Sequence, residues 1–350
     1  MERESGFWRS QLKGYLFEII ISELLAKNNF SRITPALQPN DRVREIRPGF
    51  VEIKGRGCWH QIDCPCEYKH HIPFSYPIRL LGEVKFYKSP LEKKHIREYI
   101  GVMKDIQENY YVTDGTTLED HYPRKLDIGV YFSANGFQAE AEKLAYAHGI
   151  KTVSYDNNYL ISNLKSSIEL LEEKYLSVNC MKGRVWNDFR SEFVRLVSFA
   201  GKNEKDDHWG YWNEGYMEVI GEIRSTLLSI KTSFIATTAT GVFLHFVGID
   251  CFPEELFRHS DEGSCCVHYD RWLDGSLRFW LEIAGDENHS RFYFTPPKSL
   301  DRAALYGHES VLGEKEVLFR VLNVNIQMEG ITRNLVLHLD EDWLDVAHNM

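Results

Sequence analysis

The sequence predicts an α/β domain, with a mixed central sheet flanked by helices, followed by a C-terminal, strand-rich α+β domain. In the first 160 residues, segments with apolar side chains at helical spacing alternate with short apolar segments typical of buried strands. Beyond residue 233, apolar side chains recur at every second position, which is the period of a half-buried strand. The two parts also differ in charge, because residues 1–160 hold 22 Lys and Arg against 21 Asp and Glu, whereas the remainder holds 19 against 30.

The first predicted elements are one helix and three strands. Residues 11–30 have the apolar spacing of a helix, and the pair Asn28-Asn29 predicts where it ends. The first strand is expected to end in a Gly-Arg-Gly turn, and three prolines after the second strand exclude one long regular element there. The three strands are expected at residues 49–57, 58–64 and 76–87.

Two helices and two strands complete the first domain. A helix at residues 90–107 is expected to have Pro90 and Glu92 in its first turn. A compact buried strand is predicted next, then a helix closed by a His-Gly pair, and then a short final strand. These three elements are expected at residues 125–133, 135–149 and 150–156.

The second half is predicted to begin with helices and to continue with strands. A helix at residues 163–177 is expected to link two domains, so that the chain divides into residues 1–162, 163–180 and 181–350. Helices are expected at residues 184–201 and 216–230, on either side of a polar, aromatic loop. Strands are expected at residues 233–250, 265–285, 290–297, 317–329 and 332–340, with a hairpin turn at the sequence LDGS.

Composition limits the class of protein and its setting. The net charge is −10, so any binding to nucleic acid would depend on local basic patches in the nearly neutral first half. The acidic second half instead favours protein contacts, a small ligand or self-association. No apolar stretch of about 18 residues predicts a membrane span, and no signal-peptide apolar region is present. Seven cysteines without a disulfide framework predict a reducing, cytoplasmic location.

Three ionisable residues lie at the ends of two predicted strands. Glu83 and Lys85 share one face of their strand, and Asp63 ends the preceding one. If these strands pair, the three side chains converge, and the two carboxylates would suit Mg²⁺, for which Mn²⁺ can substitute. Lys85 could then hold the attacking water or stabilise charge in phosphodiester hydrolysis. The opposite face of the second strand carries the apolar side chains of Leu80, Val84 and Phe86.

The same three residues have a plain structural interpretation. Asp63 and Glu83 could be solvated acids at a strand edge, with Lys85 a surface cation. The expected burial of the neighbouring apolar side chains weakens this interpretation. A nuclease fold that no longer cuts is a further alternative.

Three more residues near these strands have two interpretations each. Glu18, on the first helix, could reach a second metal or the lysine, or it could only pair with an arginine. Gln61 could orient the site or its water, or it could be a polar residue at a strand edge. His60 points away from Asp63 in an ideal strand, so a buried, hydrogen-bonded histidine is expected rather than a base.

Basic residues and a turn near the site suit phosphate groups. The backbone N–H groups at Asn135 and Gly136 are expected to open a helix, where they could bind phosphate or serve only as a cap. For Lys93 and Lys94 a solvated helix face is the better expectation. The flanking cations are Lys54, Arg56, Lys88, Lys93 and Lys94.

Cysteines, histidines and aromatic residues elsewhere raise weaker possibilities. A zinc site and a set of ordinary thiols and histidines are both open for the group Cys58, His60, Cys64, Cys66, His70 and His71. Cys265 and Cys266 are expected to be strand residues rather than nucleophiles. Trp209, Tyr211 and Trp212 could stack on a ligand or a base, or pack in a lid.

Four segments of the first half resemble the PD-(D/E)XK nuclease superfamily, and more closely its Mrr-like restriction endonucleases. The resemblance covers about residues 10–160, under half of the chain. Many Mrr-like relatives have Gln where this chain has Glu83, and the two cysteines around Pro65 are a departure. The four segments are GYLFEIIISELLAKNNF, GRGCWHQID, LLGEVKFYKSPLEKKHIREYIGVMKDI and IGVYFSANGFQAEAEKLAYAHGIKTVSYD.

The resemblance implies a restriction-endonuclease-like core in residues 1–162 and a Mg²⁺-dependent DNA endonuclease. Asp63 and Glu83 would bind the metal, Lys85 would position or help activate the water, and Gln61 and Glu18 would support them. Cleavage would leave 5′-phosphate and 3′-hydroxyl ends, and cutting both strands would require a homodimer. Defence of a prokaryote against foreign DNA is the setting that the family implies.

Two other classes of function remain open. The chain could be a non-catalytic nucleic-acid-binding or assembly protein on the same fold, or a nuclease that acts on RNA. Intact Asp63, Glu83 and Lys85 argue against a non-catalytic protein. Residues 181–350 are expected to sense a ligand, to recruit a protein partner or to form the dimer.

Overall fold

A computed structural model describes residues 2–34, 42–47, 50–70, 72–110, 124–175, 191, 193–195, 197, 214–271 and 277–343. The contacts divide the chain into two compact units. The first unit comprises residues 1–153 with 172–204, and the second comprises residues 154–171 with 205–350. Helices and strands occur in both, so the predicted mixture of helix and sheet is confirmed.

A mixed five-stranded sheet forms the centre of the first unit. The strand order is β1-β5-β6-β7-β8, with β5 antiparallel to β6 and β7 parallel to β6. Strands β6 and β7 correspond to the predicted strands at residues 76–87 and 125–133. The five strands are β1 (Phe30–Arg32), β5 (Cys64–Tyr68), β6 (Ile78–Lys85), β7 (Leu126–Ser133) and β8 (Lys151–Ser154).

A separate three-stranded sheet corrects the prediction for residues 49–64. It contains β2 (Val43–Arg47), β3 (Phe50–Lys54) and β4 (Trp59–Ile62), all antiparallel. The predicted single strand at residues 58–64 is wrong, because β4 ends at Ile62 and β5 begins at Cys64 in the other sheet. Asp63 lies at this break, where its side chain, not its backbone, accepts the Val84 N–H on β6.

Three helices flank these sheets. The first, α1 (Glu2–Ala26), ends where predicted, and Asn29 adopts a positive φ of 62° just beyond it. The second, α2 (Lys93–Gln107), begins later than predicted, so Pro90 and Glu92 precede its first turn. The reason is that Leu91 forms a parallel β-bridge with Phe137. The third, α3 (Ala139–Ala147), is followed by the predicted His-Gly stop.

A closed barrel of seven strands, counted over the described residues, forms the second unit. The order around the barrel is β10-β13-β12-β11-β15-β14-β9. Along β14, buried residues alternate with more exposed ones, as the period of two predicted. The strands are β9 (Thr232–Thr238), β10 (Phe243–Gly248), β11 (Glu262–Arg271), β12 (Leu277–Ile283), β13 (Phe292–Phe294), β14 (Val321–Met328) and β15 (Ile331–Leu339).

Helices accompany the barrel, and one of them corrects the prediction of a strand at residues 317–329. Helix α7 continues to Phe319, because Leu318 and Phe319 are buried in the same apolar cluster as the barrel strands. The predicted helix at residues 216–230 is confirmed. The helices are α4 (Tyr159–Tyr175), α5 (Glu214–Ser229), α6 (Lys298–Tyr306) and α7 (His308–Phe319), with a 3₁₀ turn at Glu254–Phe257.

Some predictions fall on residues outside the described parts of the chain. They are the LDGS turn at residues 273–276, the aromatic loop with Trp209, Tyr211 and Trp212, His71 of the possible zinc group, and most of the helix at residues 184–201. Among the described helices, none is both long and apolar enough to cross a membrane.

Candidate active site

The register between β5 and β6 brings Asp63 next to Glu83. Cys64 pairs with Gly82 across the two strands, so the residues that precede and follow this pair lie side by side. Gly82 allows this close approach, because a Cβ at this position would lie 2.9 Å from the backbone oxygen of Cys64. The convergence of Asp63 with the strand of Glu83 and Lys85 therefore occurs in the structure.

The three predicted site residues form one hydrogen-bonded group. Lys85 Nζ lies 2.8 Å from Asp63 Oδ2 and 2.5 Å from Glu83 Oε1. Asp63 Oδ2 also accepts the backbone N–H of Val84 at 3.0 Å. The side chains are 8%, 21% and 24% exposed for Asp63, Glu83 and Lys85, so the group can be reached from solvent. The interpretation of these residues as separate, solvated surface charges does not describe this arrangement.

The opposite face of β6 is buried, as predicted. Leu80 and Val84 are 4% and 1% exposed. Phe86 packs edge-on against Phe17 of α1, with 5.4 Å between the ring centres. Apolar packing on this face fixes the strand, and the alternation of side chains then orients Glu83 and Lys85 together.

Burial and the proximity of charges perturb the ionisation of the group. Burial, followed by the Asp63 carboxylate, raises the pKa of Glu83 to about 7, although Lys85 opposes the change. Burial alone would lower the pKa of Lys85, but the Asp63 and Glu83 carboxylates together raise it well above its usual value. Lys85 is therefore a cation at neutral pH, and Glu83 is close to half ionised.

Glu18 belongs to the same electrostatic group. Burial, followed by the Asp63 charge, raises the pKa of the Glu18 carboxyl well above its usual range. The charges of Lys85 and Arg32 act on it in the opposite direction. Both sequence-based interpretations thus have a basis, because Glu18 lies near the lysine of the site and near an arginine.

The donor atoms fit a hard divalent cation such as Mg²⁺. Among the described residues, no hydrogen bond is made to Asp63 Oδ1 or to Glu83 Oε2, so each carboxylate has one oxygen available. Mg²⁺ takes one or two protein carboxylates and completes its octahedron with water and substrate oxygens. Burial, and then the Asp63 charge, raise the pKa of Glu83, and a divalent cation would favour its ionised form.

Gln61 and His60 lie differently from the three central residues. Gln61 is exposed on β4, opposite Glu52 of β3, and no hydrogen bond joins it to the described residues of the site. Gln61 therefore lies outside the hydrogen-bonded group of Asp63, Glu83 and Lys85. His60 Nε2 lies 2.7 Å from Asp105 Oδ2, and its side chain is 15% exposed, as expected for a hydrogen-bonded histidine.

Asn135 and Gly136 do not open a helix, so neither the phosphate site nor the helix cap considered for them lies at a helix end. Helix α3 begins only at Ala139, and Gly136 has a positive φ of 75°. The Asn135 side-chain amide donates to Tyr87 O, and the Gln138 N–H donates to Leu91 O. These hydrogen bonds attach the turn before α3 to the segment that follows β6.

The cysteines separate into distinct environments. Cys64 and Cys66 are buried on β5, with 3.7 Å between their sulfur atoms. Cys265 and Cys266 are strand residues, as predicted, and burial raises the pKa of Cys266 to about 12, so neither has the character of a nucleophile.

The sequence did not indicate two aromatic residues near the site or the acid that pairs with His60. Tyr99 on α2 donates its hydroxyl hydrogen to Leu81 O and packs edge-on against Tyr131 of β7. Burial, and then the Glu83 charge, raise the pKa of both phenols. Tyr99 lies at helical spacing from Ile96 and Met103, a pattern that is typical of a core position and does not distinguish a site residue. Asp105 gave no signal, because its partner His60 is 45 residues away.

Comparisons with known proteins add little to this geometry. No family model and no curated protein matches the chain. Among solved structures, a crystal structure of a protein of unknown function, AF1548, is 18% identical, with a TM-score of 0.34. The match covers 61% of this chain and 97% of that chain. A TM-score this low does not indicate a shared fold.

Proposed function

We propose that the chain is a Mg²⁺-dependent DNA endonuclease of Mrr-like type, with a PD-(D/E)XK domain at residues 1–162. The observation that carries this proposal is the contact of one ammonium group with two carboxylates from adjacent strands. Lys85 Nζ lies within 2.8 Å of Asp63 and 2.5 Å of Glu83, while each carboxylate keeps an oxygen available.

The order of elements around the site supports the same proposal. A helix precedes an antiparallel strand pair, and a helix after β6 then leads to a parallel strand, β7. This order agrees with the restriction-endonuclease-like core that the sequence segments imply. Asp63 immediately precedes β5, and Glu83 and Lys85 lie at the end of β6.

In this proposal Asp63 and Glu83 hold the cation through their available oxygens. Bound Mg²⁺ would supply Lewis-acid polarisation of the phosphodiester and would favour ionisation of a water molecule. Lys85, which is protonated at neutral pH, would donate a hydrogen bond to the attacking water or to the charge that develops on phosphorus oxygens. Glu18, which lies on α1, would influence the ionisation of Asp63, Glu83 and Lys85 through its own charge. The expected products carry 5′-phosphate and 3′-hydroxyl ends.

The DNA backbone would contact the basic side chains near the site. Lys54 and Arg56 are exposed at the end of β3, and Lys88 is exposed just beyond β6. Arg56 also forms an exposed ion pair with Glu108 at 3.5 Å. Lys94, which pairs with Glu92 at 3.2 Å on an exposed helix face, is not among the proposed DNA contacts. Because cleavage of both strands requires two sites, the active form is proposed to be a cytoplasmic homodimer. The acidic second unit would bind the regulating ligand or protein.

The test of this proposal is cleavage of supercoiled plasmid in Mg²⁺, in Mn²⁺ and in EDTA. The wild type is expected to cut only with a divalent metal. Lys85→Ala is expected to lose roughly 10²- to 10³-fold in rate, which is typical for removal of one group that stabilises transition-state charge. Lys94→Ala removes an exposed lysine nearby and is expected to cut like the wild type.

Metal binding separates a nuclease from a non-catalytic protein on the same fold. When Mn²⁺ is titrated into the full chain, the wild type is expected to bind one ion per chain at this site. Asp63→Asn is expected to lose this binding. Equal cutting by wild type and Lys85→Ala would overturn the proposed site. Absence of both cutting and Mn²⁺ binding would favour the non-catalytic alternative. Cleavage of RNA but not of DNA would show that RNA is the substrate.

A further inference from the structure

A second group of metal-ligating atoms lies on the first unit, and it does not include Asp63, Glu83 or Lys85. Cys58 Sγ lies 3.4 Å from His60 Nε2, and His60 Nε2 lies 2.7 Å from Asp105 Oδ2. The third distance, from Cys58 Sγ to Asp105 Oδ2, is 3.9 Å. Within the described residues, no other set of three or more Cys, His, Asp or Glu side chains brings its ligand atoms this close together.

The carboxylate of Asp105 is held in place by the backbone of the turn that precedes β4. The N–H of Gly57 donates to Oδ1 at 2.8 Å, and the N–H of Cys58 donates to Oδ2 at 3.3 Å. A Cβ at Gly55 would lie 2.1 Å from Oδ2, so only glycine allows the carboxylate to enter the turn this closely. The Asp105 side chain therefore extends from α2 into the turn, where the two backbone N–H groups hold its carboxylate.

The direction of the contacts favours a metal ligand set over a proton relay. In a nucleophile–base–acid relay, the acid and the nucleophile contact different nitrogens of the imidazole. Here the Cys58 thiol and the Asp105 carboxylate both approach the same nitrogen, Nε2. The sulfur, nitrogen and oxygen atoms therefore lie close enough together to surround a single cation.

Two of the three separations are close to those expected around a zinc ion, and the third, between His60 Nε2 and Asp105 Oδ2, is shorter because it is now a hydrogen bond. Zn–S bonds of about 2.3 Å and Zn–N and Zn–O bonds of about 2.0–2.2 Å give ligand–ligand separations of about 3.3–3.6 Å in a tetrahedron. The three separations of 3.4, 2.7 and 3.9 Å come within about 0.7 Å of this value. The hydrogen that now lies between His60 and Asp105 would leave on binding, and Cys58 would bind as the thiolate.

We propose that Cys58, His60 and Asp105 bind Zn²⁺, with the fourth position open to solvent. Cys58 is exposed, so the ion has a path of entry and the open position faces water. Zinc is favoured over Mg²⁺ because a sulfur and an imidazole nitrogen belong to the ligand set. The ion would join the turn before β4 to α2, and β4 leads directly to Asp63.

The experiment replaces Zn²⁺ by Co²⁺ in the full-length chain and records its absorption spectrum. The wild type is expected to show a sulfur-to-cobalt charge-transfer band and the visible bands of a tetrahedral ion, and added Zn²⁺ should remove both. Cys58→Ser is expected to lose the charge-transfer band. Loss of this ligand should weaken Zn²⁺ binding by more than the roughly 10- to 100-fold that an outer-shell change costs.

Three controls identify the site. Asp105→Asn keeps an oxygen that can accept the N–H of Gly57, so it should fold while losing affinity for Co²⁺. Cys251→Ser removes another exposed thiol and should retain the full spectrum. Asp63→Asn should also retain it, which separates this site from the proposed nuclease centre. A charge-transfer band that persists in Cys58→Ser, or no band in wild type, would overturn the proposal.

Discussion

Lys85 Nζ lies 2.8 Å from Asp63 Oδ2, and the same oxygen accepts the Val84 N–H at 3.0 Å. Lys85 and the backbone of β6 thus share one oxygen of Asp63 and leave the other available. The lysine supplies a permanent positive charge beside two acids, which reduces their repulsion in the absence of metal. It follows that binding of a divalent cation and catalysis can be separated by changing Lys85.

Replacing Lys85 by methionine should separate these two properties. Lys85→Met removes the charge and keeps much of the side-chain volume, so Asp63 and Glu83 face each other without a cation. Mn²⁺ affinity, measured by calorimetry, is expected to stay the same or to rise, while the cleavage rate falls by about 10²-fold or more. Loss of Mn²⁺ binding in Lys85→Met would contradict the assignment of the carboxylates as the metal ligands.

Ionisation of Glu83 should make the metal-free protein less stable as the pH rises. The folded-state pKa of about 7 lies above the ordinary value of 4.5, so folding favours the protonated form. The stability that this preference contributes is complete below about pH 4.5 and is lost as the pH rises to about 7. In EDTA, wild type should therefore lose on the order of 3 kcal/mol relative to Glu83→Gln across this range.

Urea denaturation at several pH values measures this difference in the free energy of unfolding. Mg²⁺ should restore stability to the wild type above pH 7 and should leave Glu83→Gln unchanged, because the variant lacks one carboxylate ligand. Glu140→Gln is the matched control, since hydrogen bonding to Lys143 lowers the pKa of that exposed acid instead of raising it. Parallel pH profiles for wild type and Glu83→Gln would count against a perturbed Glu83.

The site could be predicted from the sequence only in part. Alternation along β6 predicted that Glu83 and Lys85 share a face, because a strand with a buried apolar face leaves its other face for polar residues. The break at Asp63 was missed, because it depends on capture of the Val84 N–H by a side chain from another strand. Asp105 was missed for a similar reason, since 45 residues separate it from His60.

For the fold as well, features that depend on neighbouring residues were predicted, and pairings between distant segments were not. The barrel strands were predicted by their period of two, which is a local property. The parallel pairing of β11 with β15 was not predictable, because it joins segments about seventy residues apart in sequence. The later start of α2 had a similar cause, since the bridge from Leu91 to Phe137 replaced the helical conformation that local residues favour.

Adding a methyl group at Gly82 should disturb the approach of β5 to β6. In Gly82→Ala the new Cβ would meet Cys64 O at 2.9 Å and Cys64 Cβ at 3.0 Å, so the backbone of one strand must move. The expected loss of stability is about 1–3 kcal/mol, with weaker Mn²⁺ binding because Asp63 shifts away from Glu83. Gly101→Ala is the control, since that helical position has open space and alanine should stabilise it by about 0.5–1 kcal/mol. Equal stability for Gly82→Ala and wild type would contradict the close contact.

A buried ion pair between β6 and β7 should be costly to break. Arg79 donates to both oxygens of Asp127, at 2.6 and 3.0 Å, and the two side chains are 2% and 1% exposed. Asp127→Ala should cost about 3–5 kcal/mol, because it removes the carboxylate that pairs with a buried guanidinium. The double variant Arg79→Met, Asp127→Leu should recover much of that loss. Lys143→Ala, which breaks an exposed pair with Glu140, should leave stability close to that of the wild type.

A buried histidine should make the second unit sensitive to acid. His245 is 3% exposed, and both ring nitrogens are hydrogen-bonded, Nδ1 to the Tyr155 hydroxyl at 2.7 Å and Nε2 to Ser233 Oγ at 2.8 Å. Burial lowers the pKa of His245 from 6.5 to about 4, so folding favours the neutral ring. The stability that this preference contributes is complete above about pH 6.5 and is lost as the pH falls towards 4.

The loss should reach on the order of 3 kcal/mol when the pH falls from 6.5 to 4. His245→Gln keeps groups that can bond both hydroxyls but cannot take up a proton in this range. Its free energy of unfolding in urea should therefore change less between pH 6.5 and pH 4 than that of wild type. His259→Gln replaces an exposed histidine of the same unit and should follow the wild-type profile. If His245→Gln and wild type lost stability equally over this range, protonation of His245 could not be the source of the acid sensitivity.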